Sequence, residues 1–525
     1  MLRAASPRRP GRPRAHPSAA GVLVLALLVC AVLALVPASA YAHGALQRSA
    51  PASGAHLSEA PRELRLTFNE DVELAVARLQ LLAADSASVD LGPLALAADS
   101  ARVIVAPIHG GLVAGTYTVA WQVAGADGHP VRGTYTFVIA PGARGLAGPV
   151  APGAAPPPAS HHDAVAMPTG GGFDAGSPLY VAVRWLTYLA LTGVIGAAAF
   201  RYAVLPLTAR RRTPAALAVV QPAARRAARL GLAAAALAGV AALLRLGAQS
   251  YALHGASRVA DPALVGAMLT RTLWGWGWLL QAGGTLLALA GFAAARRGHA
   301  AARARVRPPA PSPVGVGPEG GAVQVEEPEA HPAPPRVEPF PAGWALAGAG
   351  ALVLAFAPAL SGHAAAAPRI GGLAMLADAV HVLGAGGWIG GLLLVLAAGI
   401  PAARRLDEGQ RGPAVAALVG AFSPTALLFA GALTVTGLFA AWLHLGSIPA
   451  LWESAYGRTL LLKLAVLSVV FGTGAYNWLR VKPALGDERA AGRLRRSATV
   501  EVAVGVLVLL VTAVLVATAP PGGMR

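Results

Sequence analysis

The sequence predicts a cleaved signal peptide, then a small antiparallel β-sandwich or barrel, then an all-α polytopic membrane bundle of about eight helices. Three observations predict it. Of 525 residues, 55% are hydrophobic and only 13% are charged, with a mean hydropathy of +0.58. That balance is too apolar for one water-soluble domain. A period-2 apolar pattern fills the block 43–142. Beyond residue 176, apolar runs of membrane-spanning length recur to the end of the chain.

The leader, residues 1–42, carries arginines at 3, 8, 9, 12 and 14 ahead of the apolar run 21–36. Ala40 and Ala42 are small residues at the −3 and −1 positions of a signal-peptidase site. Cleavage after Ala42 makes His43 the first residue of the secreted chain. Cys30, the one cysteine, is lost with the leader. The remaining chain then forms no disulfide, and its metal sites are limited to nitrogen, oxygen and methionine sulfur.

In the block 43–142, Leu64, Leu66 and Phe68 alternate with polar residues. So do Val103 and Val105, then Tyr117, Val119, Trp121 and Val123, then Tyr135, Phe137 and Ile139. Gly and Pro break the runs, as strands joined by turns require. Residues 143–176, rich in Pro, Gly and Ala, read as a flexible linker. The membrane domain follows over 177–520, with spans expected near 178–200, 229–248, 272–294, 342–361, 371–400, 414–441, 459–479 and 498–518. The Pro-rich, charged stretch 296–340 reads as a disordered cytoplasmic loop.

The formal net charge of +18 would suggest nucleic acid in a soluble protein. Here the arginines cluster in alternate loops: Arg210–Arg212 after the first span, Arg296 and Arg297 after the third, Arg404 and Arg405 after the fifth, Arg493, Arg495 and Arg496 after the seventh. Those loops are cytoplasmic by the positive-inside rule, and nucleic acid is excluded as a partner. The expected location is the cytoplasmic membrane, multi-pass, with the β domain extracytoplasmic and membrane lipid around the helices.

His254, His363, His381 and His444 all fall on the β-domain side of this map. A single histidine at a helix end is ordinarily an interfacial residue. His381 differs, because it lies inside the apolar phase, where a titratable group is costly and marks a path or cofactor. Asp378, three residues earlier, shares its helix face.

The Ala126–Pro130 turn contains Asp127, Gly128 and His129. Asp-Gly alone is common hairpin chemistry. A freed His43 changes its meaning, since its α-amine and imidazole Nδ1 close a chelate ring on one metal. His129 adds a second imidazole and Asp127 a carboxylate oxygen. Three nitrogens and an oxygen suit Cu(II).

These residues resemble a known family. His43-Gly-Ala-Leu followed by Ser49-Ala-Pro51, then Leu66-Thr-Phe-Asn-Glu70, then Gly115-Thr-Tyr117 with Val119 and Trp121, then Ala126-Asp-Gly-His-Pro130 are similar to the periplasmic copper-binding protein CopC. His381, Trp388, Gly390-Gly-Leu392, Lys463 and Asn477 resemble CopD. The resemblance implies a CopC–CopD fusion, a cupredoxin-like or Ig-like barrel, and Cu(II) ligation by His43, Asp127 and His129, with Glu70 in the shell behind them. The methionines are Met1, Met167, Met268, Met375 and Met524, and none lies in the β block, so a Cu(II)-only domain is expected.

The expected function is non-enzymatic. The β domain captures extracytoplasmic Cu(II), from solution or from copper donor proteins. The linker holds it near the bundle without a tight docking surface, and His381, Asp378, His254, His363 and His444 form the membrane copper path. The resemblance gives the direction as uptake. The alternatives are copper sequestration without transport, a b-type haem membrane oxidoreductase, and a histidine-brace copper enzyme.

Overall fold

The computed structural model describes residues 46–125, 128, 130–144, 177–305, 342–362, 370–477, 479, 488–518 and 520–521. The predicted leader, nearly all of the linker and the loop beyond Arg305 lie outside them.

Nine strands among the described residues form a two-sheet sandwich. One sheet has the order β1 (Leu46–Ala50), β3 (Glu63–Phe68), β7 (Ser100–Pro107), β6 (Ala95–Ala97). The other has β2 (His56–Glu59), β9 (Pro130–Arg144), β8 (Gly115–Ala124), β4 (Arg78–Leu82), β5 (Ser88–Val89). All pairs are antiparallel except β2 with β9, which is parallel.

The alternation in β3, β8 and β9 builds the core as expected. Leu64, Leu66, Phe68, Tyr117, Val119, Trp121, Val123, Tyr135, Phe137 and Ile139 are all buried. Phe68 meets Trp121 edge-on at 5.2 Å, and Tyr117 stacks on Phe137 at 5.5 Å. β7 differs by one position. The residues it gives to the sandwich cluster are Ile104 and Ala106, while Val103 is buried outside that cluster and Val105 is half-buried. The stretch Val103-Ile-Val-Ala106 is apolar on both faces, so a period of two has two solutions there, and only packing chooses.

Among the described residues, eight helices are long and apolar enough to cross a membrane: α1 (Pro178–Ala209), α2 (Pro214–His254), α4 (Leu273–Arg305), α5 (Ala342–Leu360), α6 (Gly371–Ala403), α7 (Glu408–Leu445), α8 (Ala455–Tyr476) and α9 (Glu488–Ala517). A short α3 (Pro262–Arg271) precedes α4. α4 corrects one boundary, since it stays helical through Arg305 where the sequence places the start of the loop at 296. Its tail Ala-Ala-Ala-Arg-Ala-Arg, residues 300–305, is built of strong helix formers.

Cap residues explain the helix starts. Ser177 and Thr213 accept from backbone N–H groups three residues on, and Asp261 caps α3 in the same way; each is followed by proline at the first helical position. Gly255 ends α2 at φ 76°. The glycines of α6 serve close packing. Gly390 lies against Thr192 and Gly196 of α1, where a Cβ would strike backbone.

The β domain is seated on the bundle rather than held loosely beside it, contrary to the tethered arrangement read from the sequence. Val76 and Ala124 pack with Leu253, Met268 and Trp274 in one buried cluster. The seat lies at the end of the bundle remote from the arginine-rich loops.

Truncating Phe68 to Ala should cost the β domain about 3–5 kcal/mol. Unfolding followed by the fluorescence of Trp121, the ring that Phe68 touches, measures it.

Candidate metal site and its membrane seat

His43, Asp127, His129 and His363 lie outside the described residues. The elements that carry the first three, however, converge at one end of the sandwich. Leu46, three residues after His43, pairs with Phe68 at the end of β3. The bend that follows holds Glu70, half-buried, and leads to Val72, which bridges to Gly125. Glu73 N donates to Ala124 O at 2.8 Å. Gly125 opens the turn to Pro130, and Ala124 pairs with Pro130 across its base. The start of β1, the bend after β3 and the β8–β9 turn therefore meet at the same rim.

That rim faces the membrane helices. Arg78, Gln122 and Arg132 are cross-strand neighbours on β4, β8 and β9. They grip three successive residues at the end of α2. Arg132 Nη2 donates to Ala252 O at 2.6 Å, Gln122 Nε2 to Leu253 O at 3.0 Å, and Arg78 Nη2 to His254 Nδ1 at 3.0 Å. Arg132 Nε also donates to Gln122 Oε1 at 2.8 Å. The last carbonyls of a helix have no partner inside it, and basic side chains suit that end of the dipole.

The start of α4 is met by the opposite charge. Leu273 N donates to Glu73 Oε1 at 3.0 Å. Burial lifts the Glu73 carboxyl above its ordinary range, and the Leu273 bond opposes that rise. Burial, then the nearby Arg258 and Arg132, pulls the Arg78 guanidinium below its ordinary range.

Gly128, in the middle of the turn, touches the bundle directly. Gln249 Nε2 of α2 donates to Gly128 O at 2.5 Å, and Tyr180 of α1 donates to the other end of the same amide. Gly128 has φ 79°, and any Cβ there would meet the Trp274 ring. Both facts require glycine. Below it lies a cavity of about 50 Å³, lined among others by Tyr180, Arg184, Tyr188, Arg245, Gln249 and Trp274. Arg245 is held by Gln281 Oε1 at 2.8 Å and Ser361 Oγ at 2.6 Å.

The membrane residues singled out by sequence are dispersed. His254 has Nδ1 taken by Arg78, and its buried Nε2 has no hydrogen-bond partner among the described residues. His381 Nδ1 lies 3.0 Å from Thr436 Oγ1 of α7. Asp378 is within electrostatic reach of Lys463 on α8. His444 packs edge-on against Tyr456, 6.1 Å between ring centres. Among the described residues, no group of three or more His, Cys, Asp or Glu side chains gathers to hold a metal ion.

Sequence reasoning missed Gln249, Arg245, Gln122 and Glu501. Glu501 is 6% exposed in α9, where Asn477 Nδ2 donates to its Oε2 at 3.2 Å. The signal for it was available, as a lone acid inside an apolar run.

The fold and site define a multi-pass membrane protein with a β-sandwich seated on one end of its helices. The CopC domain model matches residues 46–140, the model of copper resistance protein D matches 416–515, and that of the copper resistance protein D-like N-terminal domain matches 174–307. Copper transport protein CutJ of Bacillus subtilis (strain 168) is 23% identical over 94% of this chain and 77% of its own length. Protein YobA of Escherichia coli (strain K12) is 31% identical over 20% of this chain and 85% of its own. Solved structures that match the β domain include CopC from Methylosinus trichosporium OB3b, 28% identical over 19% of this chain and 95% of that one, with a TM-score of 0.18. The chain belongs to the CopC and CopD families, joined in one polypeptide as a CopC–CopD fusion.

Gly128→Val should unseat the β domain. Cysteines placed at Val76 and Met268, neighbours in the interdomain cluster, report this as a loss of disulfide cross-linking. Gln122→Ala should weaken the same cross-link less, since it leaves Leu253 O unpaired at a cost of about 1–3 kcal/mol.

Proposed function

We propose that this protein captures Cu(II) with its β domain outside the cytoplasmic membrane and hands the ion to the helical bundle for inward transport. The observation that carries the reading is the seat of Gly128. The turn that holds Asp127 and His129 rests on Gln249 and Trp274, above a cavity between the helices. The names of CutJ and of the CopC and CopD models support copper as the cargo.

The ligands are the α-amine and imidazole of His43, the imidazole of His129 and the carboxylate of Asp127, with Glu70 behind them. A nitrogen-rich set of this kind favours Cu(II) over harder divalent ions. Each nitrogen must be free of its proton to bind, so affinity falls as pH drops through the amine and imidazole ranges. Within the bundle, Asp378 and His381 receive the ion, with His444 at the same end of the helices, and the sequence adds His363 to this path. His254 serves the seat through its bond to Arg78. Orientation follows from the arginine-rich loops, which the positive-inside rule assigns to the cytoplasm.

The Cu(II) electron paramagnetic resonance spectrum of the secreted form should show nitrogen ligation that one extra residue ahead of His43 abolishes and His129→Ala alters. An extended chain that binds Cu(II) as well as the cleaved one overturns the ligand set. Asp378→Asn and His381→Ala should lower cell-associated copper in an expressing strain while leaving that spectrum intact. Unchanged copper in both variants removes them from the path, and higher copper in a strain lacking the gene reverses the direction.

A further inference from the structure

Away from the ends of the eight spans, only two carboxyl groups lie in membrane-spanning helix among the described residues: Asp378 and Glu501. They stand at different depths. Trp388, whose side chain hydrogen-bonds Glu501, is ten residues beyond Asp378 on α6, about 15 Å further along the helix. Asp378 is near the seat of the β domain and has Lys463 within electrostatic reach. Glu501 is on the far side.

We propose that Glu501, Asn477 and Trp388 form a proton-binding site in the half of the bundle remote from the β domain, with Glu501 held as the neutral acid and its O–H donated to Asn477 Oδ1. Three observations converge on it. Glu501 is 6% exposed and Trp388 is 5% exposed, so water is kept from the carboxyl. Among the described residues, the groups that reach it, Asn477 Nδ2 and the Trp388 indole, are neutral donors and bring no positive charge. Asn477 Oδ1 is buried and finds no donor among the described residues. A carboxylate cannot supply that donor, and a carboxylic acid can. The amide and the acid then bond reciprocally, N–H to O and O–H to O, which leaves neither partner unsatisfied.

Among the described residues, the helices packed on α9 place no counter-ion beside Glu501, and Arg496 of α9 itself, five residues before it, is exposed. α1 has no titratable side chain between Tyr188 and Arg201, and α6 has none between His381 and Arg404. α7 has none between Arg411 and His444, and α8 has none between Lys463 and Tyr476, which is exposed. α9 itself has none from residue 502 to its end at Ala517. An ionised carboxylate there is uncompensated in an apolar medium, whereas the acid form is not. Release leaves the carboxylate in place and passes one proton to water at the remote end, with no change of oxidation state.

In transport, this site exchanges its proton as the ion crosses. That role rests on the copper reading, whereas the protonation itself does not. The experiment is infrared spectroscopy of the full-length protein in lipid at neutral pH. The carbonyl stretch of a neutral carboxylic acid should be present, absent in Glu501→Gln, and shifted in Asn477→Ala. Glu501→Gln keeps the shape and neutrality of the acid, and Asn477→Ala tests the same band without touching the carboxyl. In proteoliposomes given copper, proton movement linked to copper entry should be lost in Glu501→Gln. A band that is missing from the wild type, or that persists in Glu501→Gln, overturns the site. A lost band with unchanged proton movement overturns its role in transport. If no copper moves in any variant, the copper reading fails and the infrared band still decides the site.

Discussion

The architecture depends on one row of side chains. Arg78, Gln122 and Arg132 stand side by side across three strands and meet Ala252, Leu253 and His254 in order. A β-sheet presents neighbours about 5 Å apart on one face. The last turn of a helix presents carbonyls without partners. The sheet thus completes the helix, and the β domain takes a fixed position because the ends of α2 and α4 both need what it offers. Glu73 at the start of α4 completes the match, with the acid at the positive end and the bases at the negative end.

This arrangement explains why the β8–β9 register matters beyond the β domain. Trp121 and Val123 point into the sandwich, so Gln122 must point out. A slip of one residue would bury Gln122 in the core and turn Trp121 toward the membrane. The same register puts Ala124 opposite Pro130 and so defines the turn whose Gly128 reaches Gln249. Core packing and the placement of the β8–β9 turn are one constraint.

The fold was largely legible in the sequence, because both periodicities are strong where they occur. The strands of Leu64, Tyr117 and Phe137 and the eight apolar runs needed only pattern and length. The seat was not legible. Gln122 occupies a polar slot of an alternating strand, and such a slot reads as solvent-facing, yet Gln122 is 0% exposed. Arg78 and Arg132 mislead in the same way, since a lone arginine on a strand carries no sign that a helix end awaits it. The proposed ligand residues were suggested by their chemistry and by the cleavage expected ahead of His43. What the strand pairing adds is that the segments bearing them meet at one rim, which no local pattern encodes.

Charged groups of both signs lie below that rim, and on the proposed function they bear on how an ion would move. Arg184 and Arg245 line the cavity under Gly128. Asp378 and Lys463 lie within electrostatic reach of each other, and Tyr188 lies within reach of Arg184, Arg245 and Asp378 alike. Two unit charges 4 Å apart interact by about 4 kcal/mol at an effective dielectric of about 20, and a divalent ion doubles that. On the proposed function, a bare cupric ion leaving the turn would meet the repulsion of Arg184 and Arg245 together with the attraction of Asp378. On that reading, passage would require either that the ion keep part of its proposed ligand set or that Arg245 give up its bonds to Gln281 and Ser361 and swing aside. The seat that brings the turn to the helices also places it over the two arginines of the cavity, so on the proposed function docking alone would not open a path.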